Sequence, residues 1–156
     1  MHMNIPRKEW AAALCALPAA EVKHLASVLS GELEVRDVAL PHAGLGLLNL
    51  RDGAFEESYF IGEIPVARAE VIVRTAGGIE ERGGALIVDD RAQLARSIAI
   101  IDAVLAGKLP GGVPAMALVQ RGMAARQQKH SERKKLLAAT RVDFSLLGQE
   151  DDEDEE

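Results

Sequence analysis

Three histidines, His24, His42 and His130, are the first places to look for metal or general-base chemistry, and they are scattered. One falls in a helical stretch, one in a turn and one in a polar helix. No two have the HxxxH or HxH spacing that brings imidazoles to one ion. The single cysteine, Cys15, excludes an intramolecular disulfide and a multi-cysteine zinc site. Set among alanines and leucines, it reads as a small buried side chain. No GxSxG elbow, Walker A loop or GxGxxG is present. Gly77-Gly78 and Gly83-Gly84 fall on a hairpin and a strand, not between a strand and a helix N-terminus, so a phosphate cradle is not indicated. Glu56, Glu57, Glu80 and Glu81 read as solvated charges at strand ends. Glu63 and Asp143 sit inside or beside apolar stretches, where an unpaired charge is costly. They point to a partner such as an arginine.

The elements that would position these residues follow from periodicity. Pro6 suits the first turn of a helix, and Trp10, Leu14 and Leu17 then follow helical spacing. Pro18 interrupts. Val22, Leu25, Ala26 and Leu29 mark a second helix, stopped at Ser30-Gly31. Trp10 is the expected core anchor. Five short strands follow, over residues 33–40, 45–50, 57–63, 68–74 and 80–88. The expected turns are Pro41-His42-Ala43-Gly44, Arg51-Asp52-Gly53 and Ala76-Gly77-Gly78, with Gly and Asp-Gly supplying hairpin chemistry. Pro65 marks a bulge, edge or bend between the third and fourth. Such spacing leaves no room for parallel crossovers, so the sheet is antiparallel.

Asp89 and Asp90 fit the N-cap and first turn of a third helix. Its stripe Leu94, Ile98, Ile101, Leu105 faces a core, and Gly107 closes it. A Pro/Gly-rich linker over 108–114 leads to a fourth helix. From Arg126 to Lys135 that helix has no large apolar residue, so it projects into solvent or lies against a partner. The stretch from Arg121 to Arg141 carries seven basic residues against one Glu. Nucleic acid is one reading of such charge. With no interleaved aromatics for base stacking, a solvated or subunit-facing helix is preferred, and no nucleic acid partner is expected.

The expected fold is therefore α+β: an antiparallel sheet of about five strands with two N-terminal and two C-terminal helices. Its 156 residues suffice for one domain with a real core. Residues 1–149 form that domain, and 150–156 form an acidic tail that reads as disordered. Without the seven acidic residues of the tail, the net charge of −6 becomes about +1. Met1-His2-Met3 reads as an addition before a native start at Met3, so His2 is left out of the functional reckoning. No apolar run reaches the roughly 18 residues of a membrane span, and no signal-peptide core opens the chain. A cytoplasmic location is the expectation, with no membrane partner.

Several segments, in order, resemble a known family. They are Arg7-Lys8-Glu9-Trp10, His42-Ala43-Gly44-Leu45, Tyr59-Phe60-Ile61-Gly62-Glu63, Val66-Ala67-Arg68-Ala69-Glu70-Val71, Ala99-Ile100-Ile101-Asp102-Ala103 and Thr140-Arg141-Val142-Asp143-Phe144. The family is the G subunit of the carbon–phosphorus lyase core complex, the phosphonate metabolism protein PhnG family. The chain departs from its pattern at Asp89-Asp90-Arg91, where a Gly-Arg-Asp-like turn is common, and at Ser145, where a second aromatic is usual.

The resemblance implies a small α+β subunit, present as pairs with the H, I and J subunits and an ATP-binding-cassette partner. The complex uses ATP as substrate. It displaces adenine and attaches an alkylphosphonate to ribose C1, as an alpha-D-ribose 1-methylphosphonate 5-triphosphate synthase, in phosphonate catabolism. The nucleosidase chemistry is attributed to the I subunit. The iron–sulfur cluster and S-adenosylmethionine belong to the J subunit. The expectation is thus an accessory, non-catalytic subunit of a transferase complex, with no catalytic, cofactor-binding or metal-binding residues and no cofactor of its own. One cysteine fits that, because a cluster takes several thiolates. The residues expected at subunit contacts are Phe60, Gly62, Glu63, Arg68, Val142, Asp143 and Phe144. The alternative is a stand-alone, non-enzymatic ligand-binding or regulatory module.

Overall fold

The apolar stripe that begins at Leu94 becomes the centre of the molecule. The chain is described here by a computed structural model covering residues 5–140. Helix α3, Ala92–Ala106, buries Leu94, Ile98 and Ile101 as their spacing predicts, and leaves Leu105 half-buried. It also buries Ala95, Ala99, Ile100, Ala103 and Val104. A helix apolar nearly all round must be enclosed. The enclosing elements are helices α1 (Arg7–Cys15), α2 (Ala19–Glu32) and α4 (Gly112–Ala139) and strands β1 (Glu34–Arg51), β2 (Ser58–Arg74) and β3 (Glu80–Ile87). The fold is α+β, with four helices and one three-stranded sheet among the described residues.

The sheet is antiparallel in the order β1-β2-β3. Ala67, Ala69, Val71 and Val73 of β2 and Ala85 and Ile87 of β3 face the core. Gly83 stands where α3 crosses the sheet. A Cβ there would lie 2.1 Å from the Ala99 carbonyl oxygen and 2.6 Å from the Ala103 nitrogen. The β2–β3 hairpin turns at Gly77-Gly78, as expected, with Gly78 at φ +83° and its N–H donating to the Thr75 carbonyl at 2.9 Å.

The expected five strands are three. The first two predicted strands are one strand of 18 residues, and the third and fourth are one of 17. Around Pro41 the chain does not turn. It absorbs extra residues as register shifts between Asp37 and Ala39 and between Ala39 and His42. Pro65 stays in the ladder opposite Leu45. Proline is tolerated there because alternate residues of an antiparallel strand turn their N–H away from the partner. At Asp52 the expected hairpin exists as a wider loop. The Asp52 carboxylate accepts the N–H groups of Ala54 and Phe55, at 2.6 and 3.2 Å.

The helical ends differ in detail. α1 stops at Cys15, short of Leu17, and α2 runs through Gly31 to Glu32. Trp10 is the anchor that was expected. It is 9% exposed, and its Nε1 donates to the Ile5 carbonyl at 2.9 Å. Cys15 is not buried as expected but exposed, because α1 turns Trp10, Ala13 and Leu14 inward. Partial burial of the thiol still pushes its pKa up. Neither Asp89 nor Asp90 is the cap of α3. Arg91 holds that position without a side-chain cap, and Asp89 instead accepts the Arg91 N–H at 2.8 Å.

Candidate functional site

Two long strands joined by one loop make a ribbon, and here the ribbon outruns the rest of the sheet. β3 pairs with β2 only from Ala67 to Arg74. Beyond that point β1 and β2 have only each other, from Gly44↔Val66 to Arg51↔Ser58. At the usual rise this two-stranded arm is about 30 Å long. Helix α3 covers the sheet only as far as the body extends.

The arm is apolar where water meets it. Ala67 is fully buried, and its face continues outward through the pairs Leu45↔Pro65 and Leu47↔Glu63. With no helix over them, Leu45 and Leu47 are 66% and 64% exposed. On the opposite face Ile64 and Val66 lie across from Gly46 and Gly44 and are half-buried. Farther out, the ladder shifts register between Leu48↔Gly62 and Asn49↔Phe60, leaving Ile61 as an extra residue. Gly62 takes φ +150° at this bulge, a conformation side chains disfavour. The tip exposes Leu50, Phe55, Tyr59, Phe60 and Ile61. Fully covering a side chain of this size is worth about 1.5–3 kcal/mol, and large uncovered apolar patches mark interaction surfaces.

Of the residues expected at subunit contacts, Phe60, Gly62 and Glu63 come together on the arm. Glu63 is exposed and makes no ion pair with a described residue, so the arginine partner inferred from its sequence setting is not found among them. Arg68 is exposed on the outer face of the sheet, 3.8 Å from Glu70. Val142, Asp143 and Phe144 lie outside the described residues, as do Met1-His2-Met3 and the acidic tail. Leu45, Leu47, Leu50 and Phe55 were missed. Alternating leucines read equally well as a core strand, and only the absence of a covering helix distinguishes the two.

A second feature is a cleft of about 750 Å³ beside the free edge of β3, lined by Arg7, Lys8, Trp10, Arg82, Leu86 and Asp102 among others. Two of its carboxylates, Asp102 and Glu70, are already engaged. Asp102 accepts Arg7 Nε at 3.0 Å, Arg7 Nη2 at 2.7 Å and the Gly84 N–H at 3.0 Å. Arg7 Nη2 also donates to the Arg82 carbonyl at 3.3 Å. Glu70 receives Arg82 at 2.5 Å, and this contact lowers its pKa. The Arg7–Asp102 pair thus satisfies backbone groups of an edge strand, a task other proteins give to a further strand or a covering loop. Among the described residues no group of three or more His, Cys, Asp or Glu is arranged to hold a metal ion. No helix among them is long and apolar enough to cross a membrane.

A family model described as phosphonate metabolism protein PhnG matches residues 5–148. The chain belongs to the PhnG family. No curated protein sequence matches it. The PhnG match takes in both strands of the arm, the α3 centre and the Arg7–Asp102 clamp. It bears out the resemblance carried by the ordered short segments, two of which, 7–10 and 99–103, hold the two partners of that clamp.

Proposed function

We propose that this PhnG-family chain is an accessory, non-catalytic subunit of a carbon–phosphorus lyase core complex, acting in the cytoplasm. In that role it is needed for displacing adenine from ATP and attaching an alkylphosphonate to ribose C1. Sister subunits supply the chemistry, the iron–sulfur cluster and S-adenosylmethionine. The partners are the H, I and J subunits with the ATP-binding-cassette subunit.

The observation that carries this reading is the uncovered apolar arm on a body whose own core is complete. The cleft adds support, since Asp102 and Glu70 are committed to arginines and, at Asp102, to a backbone N–H, which leaves Glu81 as a lone carboxylate and no poised acid–base pair. Docking is the work of the arm: Leu45, Leu47, Phe60 and Ile61 enter partner grooves, and Gly62 and Glu63 lie at the same contact. Arg68, Val142, Asp143 and Phe144 belong to the same proposed set of contacts.

Co-expression with H, I and J subunits tests it. The chain is expected to co-purify with them, and Leu47→Asp with Phe60→Asp is expected to abolish co-purification while the far-ultraviolet dichroism stays unchanged. A monomer that ignores all three partners overturns the reading. So does turnover of ATP and methylphosphonate by the isolated chain.

A further inference from the structure

The last half of α4 is a surface that the arm reading leaves unused. α4 has 28 residues, and its buried residues, Ala115, Leu118, Val119 and Gly122, all lie in the first half. Arg126 pairs with Glu9 at the base of the exposed part. From Arg126 to Thr140 every residue is exposed. Lys129, His130, Arg133 and Lys134 follow i, i+1, i+4, i+5, which places them together on one side of the helix. Lys129 with Arg133, and His130 with Lys134, stand one turn apart. The like charges of Lys129 and Arg133 at that spacing oppose helix formation by a few tenths of a kcal/mol. None of the three cations makes an ion pair with a described residue. The one acid nearby, Glu132, accepts from Gln128 on another side.

An exposed helix with aligned, uncompensated cations calls for an anionic occupant. We infer that Lys129, Arg133 and Lys134 form an anion-docking surface, and that in the free chain its occupant is the chain's own acidic segment, residues 150–156. Two observations select this occupant. The first is charge: seven consecutive carboxylates face a stripe of three cations and a histidine. The second is reach. α4 ends at Ala139, and the chain from Thr140 to Glu150 can extend roughly 33 Å. Arg133 lies only about 10 Å back along the helix from Thr140. Tethering at that length gives a local concentration on the order of millimolar, and loop closure costs little more for ten residues than for five. The segment acts as a cover in cis, which a more strongly bound acidic surface or a polyanion must displace. This inference concerns a surface separate from the arm and stands or falls independently of the proposed function.

Paramagnetic relaxation tests it on the full chain. A nitroxide is attached at Glu153→Cys in a Cys15→Ser background, and amide broadening is read along the chain. At about 20 mM salt the amides of 129–135 are expected to broaden well beyond those of β2. The effect is expected to fade by about 0.5 M salt, where screening is severe. The variant Lys129→Glu/Arg133→Glu/Lys134→Glu is expected to remove it. Reversal of two other exposed lysines, Lys8→Glu and Lys23→Glu, is expected to leave it in place. Broadening that is absent from α4, centred elsewhere, or indifferent to the triple reversal overturns the inference.

Discussion

The guanidinium of Arg7 grips both carboxylate oxygens of Asp102 across 95 residues of sequence. The same carboxylate accepts the Gly84 N–H, and the same guanidinium reaches the Arg82 carbonyl. One ion pair therefore fastens α1 to α3 and finishes the edge of β3. Asp102 is 7% exposed, while the Arg7 side chain remains 53% exposed, which tempers the strength of the pair.

Removing one partner leaves the other without compensation. Asp102→Ala is expected to cost about 1–3 kcal/mol, because an aspartate-bound N–H and a half-buried guanidinium lose their acceptor. Asp102→Asn, which keeps an acceptor for Gly84, is expected to cost less. Urea denaturation of both variants measures this. Equal losses would mean that the acceptor for Gly84 contributes nothing and that the charge carries the whole clamp.

Gly83 and Gly84 are neighbours with opposite tolerance. A Cβ at Gly83 meets backbone of α3 at 2.1 Å, whereas at Gly84 the nearest atom is 3.8 Å away. Gly83→Ala is expected to destabilise by about 3 kcal/mol, at the upper end for overpacking against atoms that cannot move aside. Gly84→Ala is expected to stay within about 1 kcal/mol. Thermal melts of the pair decide the matter, and a mild Gly83→Ala would contradict the close approach of α3.

Asp89 has its pKa lowered to about 2, chiefly by the hydrogen bond from the Arg91 side chain. The shift is downward, so its contribution to stability is present above the unfolded value of about 3.9 and is lost as pH falls through about 2. Carboxyl NMR titration should find a midpoint near that value. Arg91→Ala should raise it toward the ordinary range. An ordinary midpoint in the unaltered chain would remove the pair from the solution structure.

The arm contributes little to the body's core. Leu45→Ser, Leu47→Ser and Phe60→Ser are each expected to change stability by less than about 0.5 kcal/mol, although apolar-to-polar changes of this kind inside a core cost several times more. Chemical denaturation reads the difference. A large loss from any of them would show that the side chain is covered by its own chain.

Much of this arrangement was legible in the residues. The 94–105 stripe announced α3, Gly77-Gly78 announced its hairpin, and the run from Arg126 announced an exposed helix. Two prolines misled, for different reasons. Pro65 signals that a ladder N–H is missing, and an antiparallel strand offers alternate sites where none is needed, whereas Pro41 falls in the register shift between Ala39 and His42, which the strand absorbs without turning. Strand length is therefore set by the partner's register, which local chemistry does not encode. The clamp was hidden for a different reason. Arg7 and Asp102 each look like an ordinary surface charge until the chain folds one onto the other. The exposed leucines of the arm were invisible as such, because alternation records which face a residue shares and not whether anything covers that face.

The enclosure of α3 by this chain's own helices and strands has a consequence for the order of events in a cell. In the proposed role, the chain brings to the assembly a core that its own described elements already enclose, so joining is the meeting of finished parts and not a folding step. What a solitary copy lacks is shelter for its ribbon. Orphan copies are thus competent but conspicuous, open to chaperones, proteases and unwanted strand pairing. In that proposed role, balanced synthesis of the partners becomes a condition of this protein's survival, quite apart from its use.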